Sequence, residues 1–333
     1  MDYHKQALSI QKSSSQNVAK AMTAETCVLM GMVKAKTGEY DAALDLFNDA
    51  LLTLKDALGA KHLSVTKTLA QIGQLHFQLS RYVEAFANLE EAERIQLETV
   101  GEMNRDTLET QALIGRVLTA TGEYDSASTK LTSVVDKQQS LFGADHPSIA
   151  ETKQFIAENF LEQGMPAEAR GVYVEVYNTR KIFFTMDQIP IAESMVDVIR
   201  ARNGRPERAL AIYRNAMDVY QEYLPDDHVL IGRLLVYKGD AHAELLEFST
   251  AIERYEEARE IFRKSVGECA IDSAQVAVNM GKVLLRKCDY DGAKEEFNAA
   301  LCHYNQLLPE NHPKVESTLS LLGRVEEEEA LCV

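Results

Sequence analysis

The sequence lacks the short motifs that commonly mark an enzyme or a metal site. It contains no glycine-rich phosphate loop, no His-Glu-x-x-His pair and no nucleophile elbow. Its five cysteines include no Cys-x-x-Cys pair, and their odd number argues against a disulfide framework. We therefore expect a non-catalytic protein without cofactor or metal, in a reducing compartment, with the cytoplasm as the default.

Long apolar runs and an excess of positive charge are also missing. No run reaches the roughly 18 apolar residues that a membrane-spanning helix needs, and residues 1–16 lack the apolar core of a secretory signal. The chain has 35 basic and 51 acidic side chains, which gives a formal net charge of −16. Phosphate backbones and anionic membrane surfaces would be repelled, so neither nucleic acid nor a membrane is an expected partner.

The sequence does contain one pattern that recurs about every 42 residues. A turn is followed by an aromatic residue or proline and, three residues later, by alanine. The anchors are Tyr40, Tyr82, Tyr124, Pro166, Pro206, Phe248 and Tyr290, and the alanines are Ala43, Ala85, Ala127, Ala169, Ala209, Ala251 and Ala293. A period of this length is typical of a solenoid, in which each unit packs on its neighbours.

Two further positions keep the same register around each alanine. Twelve residues before it stand Gly31, Gly73, Gly115, Ala157, Asp197, Gly239 and Gly281, and four residues after it stand Phe47, Leu89, Leu131, Tyr173, Tyr213, Tyr255 and Phe297. Helices that cross closely leave no room for a large side chain, so the small residues predict helix crossings. The large residues are predicted to fill the neighbouring space.

The turns carry a resemblance to a known family. The first hairpin turn reads Gly38-Glu39-Tyr40-Asp41-Ala42-Ala43, and a turn between repeats reads Phe142-Gly143-Ala144-Asp145-His146-Pro147. With the long period, these turns resemble the tetratricopeptide repeats of kinesin light chains and their relatives. The resemblance implies an all-α, right-handed superhelical solenoid of about seven helical hairpins, with half-repeats at both ends.

We predict one solenoid over residues 1–333. Its repeats are expected at about 18–58, 63–100, 105–142, 148–184, 190–224, 229–266 and 271–308, with partial units at 1–17 and 312–333. A turn is expected from Ser13 to Asn17, after the first partial unit. Asp197 in the small-residue position of the fifth repeat indicates either a degenerate repeat or a bend or seat for a partner.

Histidines and cysteines are the remaining candidates for chemistry. His62, His146, His228 and His312 recur in every second turn between repeats. That spacing is too wide for zinc bonds of roughly 2 Å, so these residues are predicted to cap helices. Cys302, His303 and His312 could form a small metal cluster, but Cys302 is expected on the outer face of its helix. Cys288 occupies the turn position that Gly38 holds in the first repeat, and we expect an exposed thiol there.

The resemblance also implies that partner peptides bind a concave groove lined by the first helix of each hairpin. The residues just after the small position, and one turn further on, are expected to face this groove. These candidates are Gln74, Gln78, Arg116, Glu158, Glu162, Arg202, Asp240, Glu244, Lys282, Arg286 and Arg324. Basic and acidic repeats alternate, which fits either a ligand of mixed charge or pairing between repeats without a ligand.

The sequence thus predicts a cytoplasmic scaffold or adaptor that binds protein or peptide partners. One alternative is a fragment of a larger protein whose other domain carries catalysis or signalling, as a start inside a repeat suggests. A second alternative is a motor-linked cargo adaptor like the kinesin light chains, which rests on the resemblance alone.

Overall fold

A computed structural model describes residues 2–144, 146–183, 192–193, 196, 206–267 and 269–331. Within these ranges every regular element is an α-helix, so the predicted all-α class is confirmed. Fourteen helices are defined in the described ranges: α1 (Asp2–Lys36), α2 (Tyr40–Leu58), α3 (Leu63–Gln78), α4 (Tyr82–Thr99), α5 (Arg105–Ala120), α6 (Tyr124–Phe142), α7 (Pro147–Glu162), α8 (Pro166–Phe183), α9 (Pro206–Tyr223), α10 (Val229–Glu244), α11 (Phe248–Ser265), α12 (Ile271–Arg286), α13 (Tyr290–Leu307) and α14 (Pro313–Leu331).

The chain divides into two compact units, Met1–Ile114 and Gly115–Val333. In the first unit α1 packs against α2 and α3 against α4. Its core is built from the small and aliphatic residues Ala21, Ala24, Ala50, Leu54, Val65, Leu69, Ala92 and Ile95. In the second unit α7 packs against α8, α10 against α11, and α12 against α13, and α14 packs on α13. The assignment of the whole chain to a single right-handed solenoid stays a prediction.

The anchors of the repeat start the second helix of each hairpin. The first residues of α2, α4, α6, α8, α9, α11 and α13 are Tyr40, Tyr82, Tyr124, Pro166, Pro206, Phe248 and Tyr290. Two of these anchors are prolines, whose fixed φ and missing N–H suit the first position of a helix. The alanine three residues later is fully buried in six of the seven repeats, as at Ala43, Ala85 and Ala251, whereas Ala209 is half-buried.

The turn histidines cap the first helices of alternate hairpins, as predicted. The Nδ1 atoms of His62, His146 and His228 accept from backbone N–H groups two residues on, each at 3.2 Å. His312 does the same for Lys314 at 3.1 Å. Each contact satisfies one of the N–H groups that the first turn of a helix leaves without a partner inside the helix.

The small residues mark the helix crossings, again as predicted. A methyl group added at Gly73 would lie 2.7 Å from Leu89, and one added at Gly281 would lie 2.6 Å from Phe297. Gly31, Gly115 and Gly239 are equally close to the large residues sixteen positions later. In the fourth repeat Ala157 takes this position and packs with Ala169 and Tyr173.

The first helix differs from the sequence prediction. The expected turn at residues 13–17 is wrong, because residues 2–36 form one continuous helix. This stretch contains serine and asparagine but no glycine or proline, and those polar residues cost a helix only a fraction of a kcal/mol each. Asp197 and most of the first helix expected for the fifth repeat lie outside the described residues.

Candidate functional site

The predicted groove residues Arg116 and Glu158 lie together in the second unit. Arg116 Nε donates to Glu158 Oε2 at 3.0 Å, and its guanidinium carbon lies 4.8 Å from the centre of the Phe155 ring. Each member of the pair directly follows the small residue of its helix crossing, which places α5 and α7 close enough to share the contact. The two side chains are about one-fifth exposed, at 21% and 23%.

A second arginine, Arg180, is linked to the same pair through Gln154. Gln154 Nε2 donates to Glu158 Oε1 at 3.3 Å, and Arg180 Nη2 donates to Gln154 Oε1. Arg180 comes from the last turn of α8 and is only 8% exposed. The other repeats fill this position with buried residues: Leu54, Gln96, Gln138, Tyr220, Phe262 and Tyr304. A charged residue in a buried position was therefore a signal available in the sequence, and sequence reasoning missed it.

Glu193 and Arg233 complete what we call the arginine cluster, which consists of Arg116, Glu158, Arg180, Glu193 and Arg233. Burial raises the pKa of the Glu193 carboxyl, the charges of Arg180, Arg116 and Arg233 act to lower that pKa, and Glu158 acts to raise it. Three guanidinium groups therefore lie near enough to the Glu193 carboxyl to influence its pKa, with burial as the larger effect.

Arg233 also binds a carboxylate of the next repeat. Its Nε and Nη2 atoms donate to the two carboxylate oxygens of Asp272 at 3.0 and 2.9 Å. This bidentate geometry fixes the guanidinium plane as well as its position. Lys67 and Asp106 hold the equivalent two positions in the first unit, with a 3.3 Å contact. Pairing between first helices thus recurs along the chain.

Asp240 belongs to a second polar network. Its Oδ1 atom accepts from Tyr255 Oη at 2.7 Å and from Asn279 Nδ2 at 2.8 Å. Gln275 Nε2 donates to Asn279 Oδ1 at 2.9 Å and extends the network along α12. Burial, and then the Asp240 charge, raise the pKa of Tyr255, so that its hydroxyl stays a donor. Asp240 therefore links side chains of the sixth and seventh repeats inside the fold.

Two further candidates in the second unit are held by contacts between elements. Glu162 Oε2 lies 2.9 Å from Lys314 Nζ. Arg286 Nη1 donates to the Ala243 carbonyl oxygen at 2.9 Å, and its guanidinium lies 5.0 Å from the centre of the Phe248 ring. Both side chains therefore tie one element of the second unit to another.

The remaining candidates lie apart from the cluster. Arg324 pairs with Glu328 on its own helix at 3.2 Å. Glu244 and Lys282 are exposed, and Gln74 and Gln78 are half-buried on α3 of the first unit. Arg202 lies outside the described residues.

The described parts of the chain offer little else for chemistry. Among those residues no group of three or more histidine, cysteine, aspartate or glutamate side chains is arranged to hold a metal ion. In the same ranges, no helix is both long enough and apolar enough to cross a membrane. Cys288 is exposed, as expected from its turn position.

The family follows from the fold and from a sequence match. The family model described as Tetratricopeptide repeat matches residues 20–98, 106–182 and 193–264. These ranges make up more than half of the chain, and the chain belongs to this family. Members typically serve as non-catalytic scaffolds for protein interactions.

Individual relatives are distant. The chain is 27% identical over 142 residues to the Arabidopsis thaliana protein Kinesin light chain-related 2, covering 43% of this chain and 21% of that protein. It is 24% identical over 120 residues to the human Clustered mitochondria protein homolog, covering 36% of this chain and 9% of that protein. The match thus spans about one-fifth of the length of the first relative and about one-tenth of that of the second.

A solved structure shows the same fold at greater coverage. It is the Rap conjugation gene regulator of plasmid pLS20 in complex with the Phr* peptide. The TM-score is 0.67 and the sequence identity 13%, and the match covers 86% of this chain and 74% of that one.

Proposed function

We propose that this chain is an interaction scaffold or adaptor that binds a peptide segment of a partner protein on the first-helix face of its second unit. The arginine cluster is the observation that carries the proposal. It sets three guanidinium groups on helices of the third, fourth and sixth repeats, where Arg116 and Arg233 remain about one-fifth and one-third exposed. Guanidinium groups fixed in this way are well suited to bind carboxylates and backbone carbonyls.

The charges of the site favour a segment of mixed charge. Glu158 and Asp272 hold their arginines in place, but both carboxylates keep oxygen lone pairs that a basic ligand group can share. An acidic ligand group would instead meet the exposed edges of the guanidinium groups. Electrostatic contacts of this kind set the register of a bound peptide more than its total affinity. The Rap regulator, which shares this fold and was solved in complex with the Phr* peptide, supports the proposal that the ligand is a peptide.

Hydrogen exchange tests where a ligand lies. Peptides would be selected from a displayed random library against the intact chain, and amide exchange measured with and without the tightest binder. The proposal predicts slower exchange in α7, α10 and α12 and in the part of α5 after Ile114. Protection confined to the second helices α6, α8, α11 and α13, or to the first unit, would contradict it.

Two broader proposals accompany this one. The short coverage of both curated relatives favours a second candidate, in which the repeats serve as the interaction module of a longer protein, including a motor cargo adaptor. We also propose a cytoplasmic location, because four free cysteines lie among the described residues. We propose no catalytic activity, because members of the family typically serve as non-catalytic scaffolds. Fractionation of cells that express the tagged natural gene would test the location and the length together.

A further inference from the structure

Two cysteines of the second unit meet at one glutamine side chain. Cys269 lies in the connection between α11 and α12, and Cys302 lies on α13. The Cys269 thiol donates to Gln306 Oε1 at 3.1 Å, and Gln306 Nε2 donates to Cys302 Sγ at 3.6 Å. Because both contacts end on one carboxamide, amide bond lengths limit the two sulfurs to a separation of no more than about 9 Å.

The repeat explains why these side chains converge. In the second repeat Lys61 and Arg94 occupy the positions equivalent to Cys269 and Cys302, and Glu98 occupies that of Gln306. Lys61 Nζ and Arg94 Nη1 both donate to the Glu98 carboxylate, at 2.7 and 3.2 Å. The same three positions therefore bring two side chains to one point in each case. The second repeat places two cations around a carboxylate there, whereas the seventh places two thiols around a neutral amide.

We propose that Cys269 and Cys302 form a reversible disulfide when the protein meets hydrogen peroxide. In the first step the Cys302 thiolate attacks the peroxide, a sulfur–oxygen bond forms, the O–O bond breaks, and hydroxide leaves and takes up a proton to become water. In the second step the Cys269 thiolate attacks that sulfur, the disulfide bond forms and a second hydroxide leaves and is protonated. Overall the two thiols lose two hydrogens, and one peroxide is reduced to two waters.

The different exposure of the two thiols indicates which of them reacts first. Cys302 is exposed, whereas Cys269 is partly covered. Burial, and to a smaller extent the neighbouring Cys302, raise the pKa of the Cys269 thiol. Cys302 is therefore the thiol that meets the oxidant first, and Cys269 is the one that resolves the intermediate.

Closure of the bond requires a local rearrangement. A disulfide needs Cβ atoms about 3.5–4.5 Å apart, so Gln306 must leave the space between the sulfurs. Cys269 belongs to a bend rather than a helix, which lets its side of the pair move toward α13. The bond would tie the connection between the sixth and seventh repeats to the last full hairpin. This proposal is independent of any ligand on the first-helix face.

Mass spectrometry of the intact wild-type chain tests the proposal. The reduced protein is treated with hydrogen peroxide, its remaining thiols are alkylated, and it is digested with trypsin under non-reducing conditions. Trypsin separates the relevant cysteines, because Cys269 falls in residues 265–282, Cys288 in 288–294 and Cys302 in 295–314. The expected product joins 265–282 to 295–314, about 2 Da below the summed masses, and dithiothreitol separates the two peptides.

Cys288 is the matched control, since it is an exposed thiol in the turn between α12 and α13. It should remain alkylated, and a Cys288→Ser variant should cross-link to the same extent as the wild type. A Cys302→Ser variant should lose the cross-link and leave Cys269 alkylated. The proposal is overturned by any of three results: a link through Cys288, a link between two chains, or Cys302 oxidised to the sulfinic acid while Cys269 stays reduced.

Discussion

Single residues in the hairpin turns carry an unusual backbone conformation. Gly38, Gly122 and Gly164 adopt positive φ angles, and Ser80, Leu246 and Cys288 adopt φ of 60–64° at the equivalent positions. The turn geometry, rather than the residue type, therefore dictates the left-handed conformation. Residues with a side chain pay about 1–2 kcal/mol for it, and glycine does not.

Leu246 offers the clearest test of that cost, because its side chain is 64% exposed. Leu246→Gly should stabilise the protein by about 0.5–1 kcal/mol, since relief of the left-handed strain exceeds the extra chain entropy that glycine loses. Leu52→Gly is the control, because Leu52 is 69% exposed but lies inside helix α2. It should cost about 1 kcal/mol. Equal losses for the two variants in denaturant titration would contradict this account.

Glycines at the helix crossings should behave in the opposite way. Gly281→Ala places a methyl group 2.6 Å from the Phe297 ring and should cost about 1–3 kcal/mol. Gly171→Ala is the matched control on α8, since a methyl group there meets nothing within 4 Å. That change should stabilise by up to about 1 kcal/mol. Thermal midpoints that move in the same direction would show that the crossing is looser than described.

At the scale of the helices, the capping histidine of α14 has a second contact. His312 is 2% exposed, and its Nε2 atom lies 3.2 Å from the carbonyl oxygen of Ala120, the last residue of α5. Nδ1 accepts from the Lys314 N–H, so the ring is neutral with its proton on Nε2. The ring therefore both caps α14 and holds it against the C-terminal end of α5.

The stability of the protein should depend on pH through the protonation of His312. Burial, followed by the Lys314 charge, lowers the pKa of His312, while Ala120 and Glu162 oppose the shift. The unfolded chain takes up a proton below pH about 6.5, whereas the folded state resists it. The stabilisation is thus complete above that pH and is lost as pH falls through the lowered pKa.

We expect the advantage of the wild type over a His312→Asn variant to shrink between pH 7.5 and pH 5. Asparagine retains an oxygen that can cap the helix at both pH values. His62→Asn serves as the comparison and should cost less at pH 7.5, because His62 is an exposed cap. A pH-independent difference between wild type and His312→Asn in urea titrations would contradict the buried neutral ring.

Helix starts were largely predictable from the sequence, whereas the contacts of the site were not. The anchors and capping histidines act through local backbone chemistry, so a single residue such as Tyr290 or His228 predicts the start of a helix. The continuous α1 was missed because serine and asparagine favour turns without requiring them. The pairing of Arg233 with Asp272 depends on how neighbouring repeats align, and one sequence does not reveal that alignment.

For the molecule as a whole, the distribution of charge bears on the proposed function. The chain carries a formal charge of −16, yet its arginine cluster concentrates three cations in the second unit. Several of the predicted groove residues instead make contacts inside the fold. Asp240 binds Tyr255, and Arg286 binds the Ala243 carbonyl oxygen. Arg116 and Glu158 remain the pair that both stabilises the fold and faces solvent. They are therefore the residues at which the proposed ligand role can be separated from pairing within the fold.

The most direct test exchanges the two charges, as Arg116→Glu with Glu158→Arg, and measures the affinity of the selected peptides. Exchange of the exposed i, i+4 pair Arg105 and Glu109 is the control. The account predicts a folded variant whose unfolding free energy falls by about 1–3 kcal/mol, because the ion pair is retained but the contacts of Arg116 with the Phe155 ring and of Gln154 with Glu158 are lost. It also predicts at least a tenfold loss of affinity, about 1.4 kcal/mol, with the control unchanged. Unchanged affinity in a folded variant would mean that these charges bind only each other.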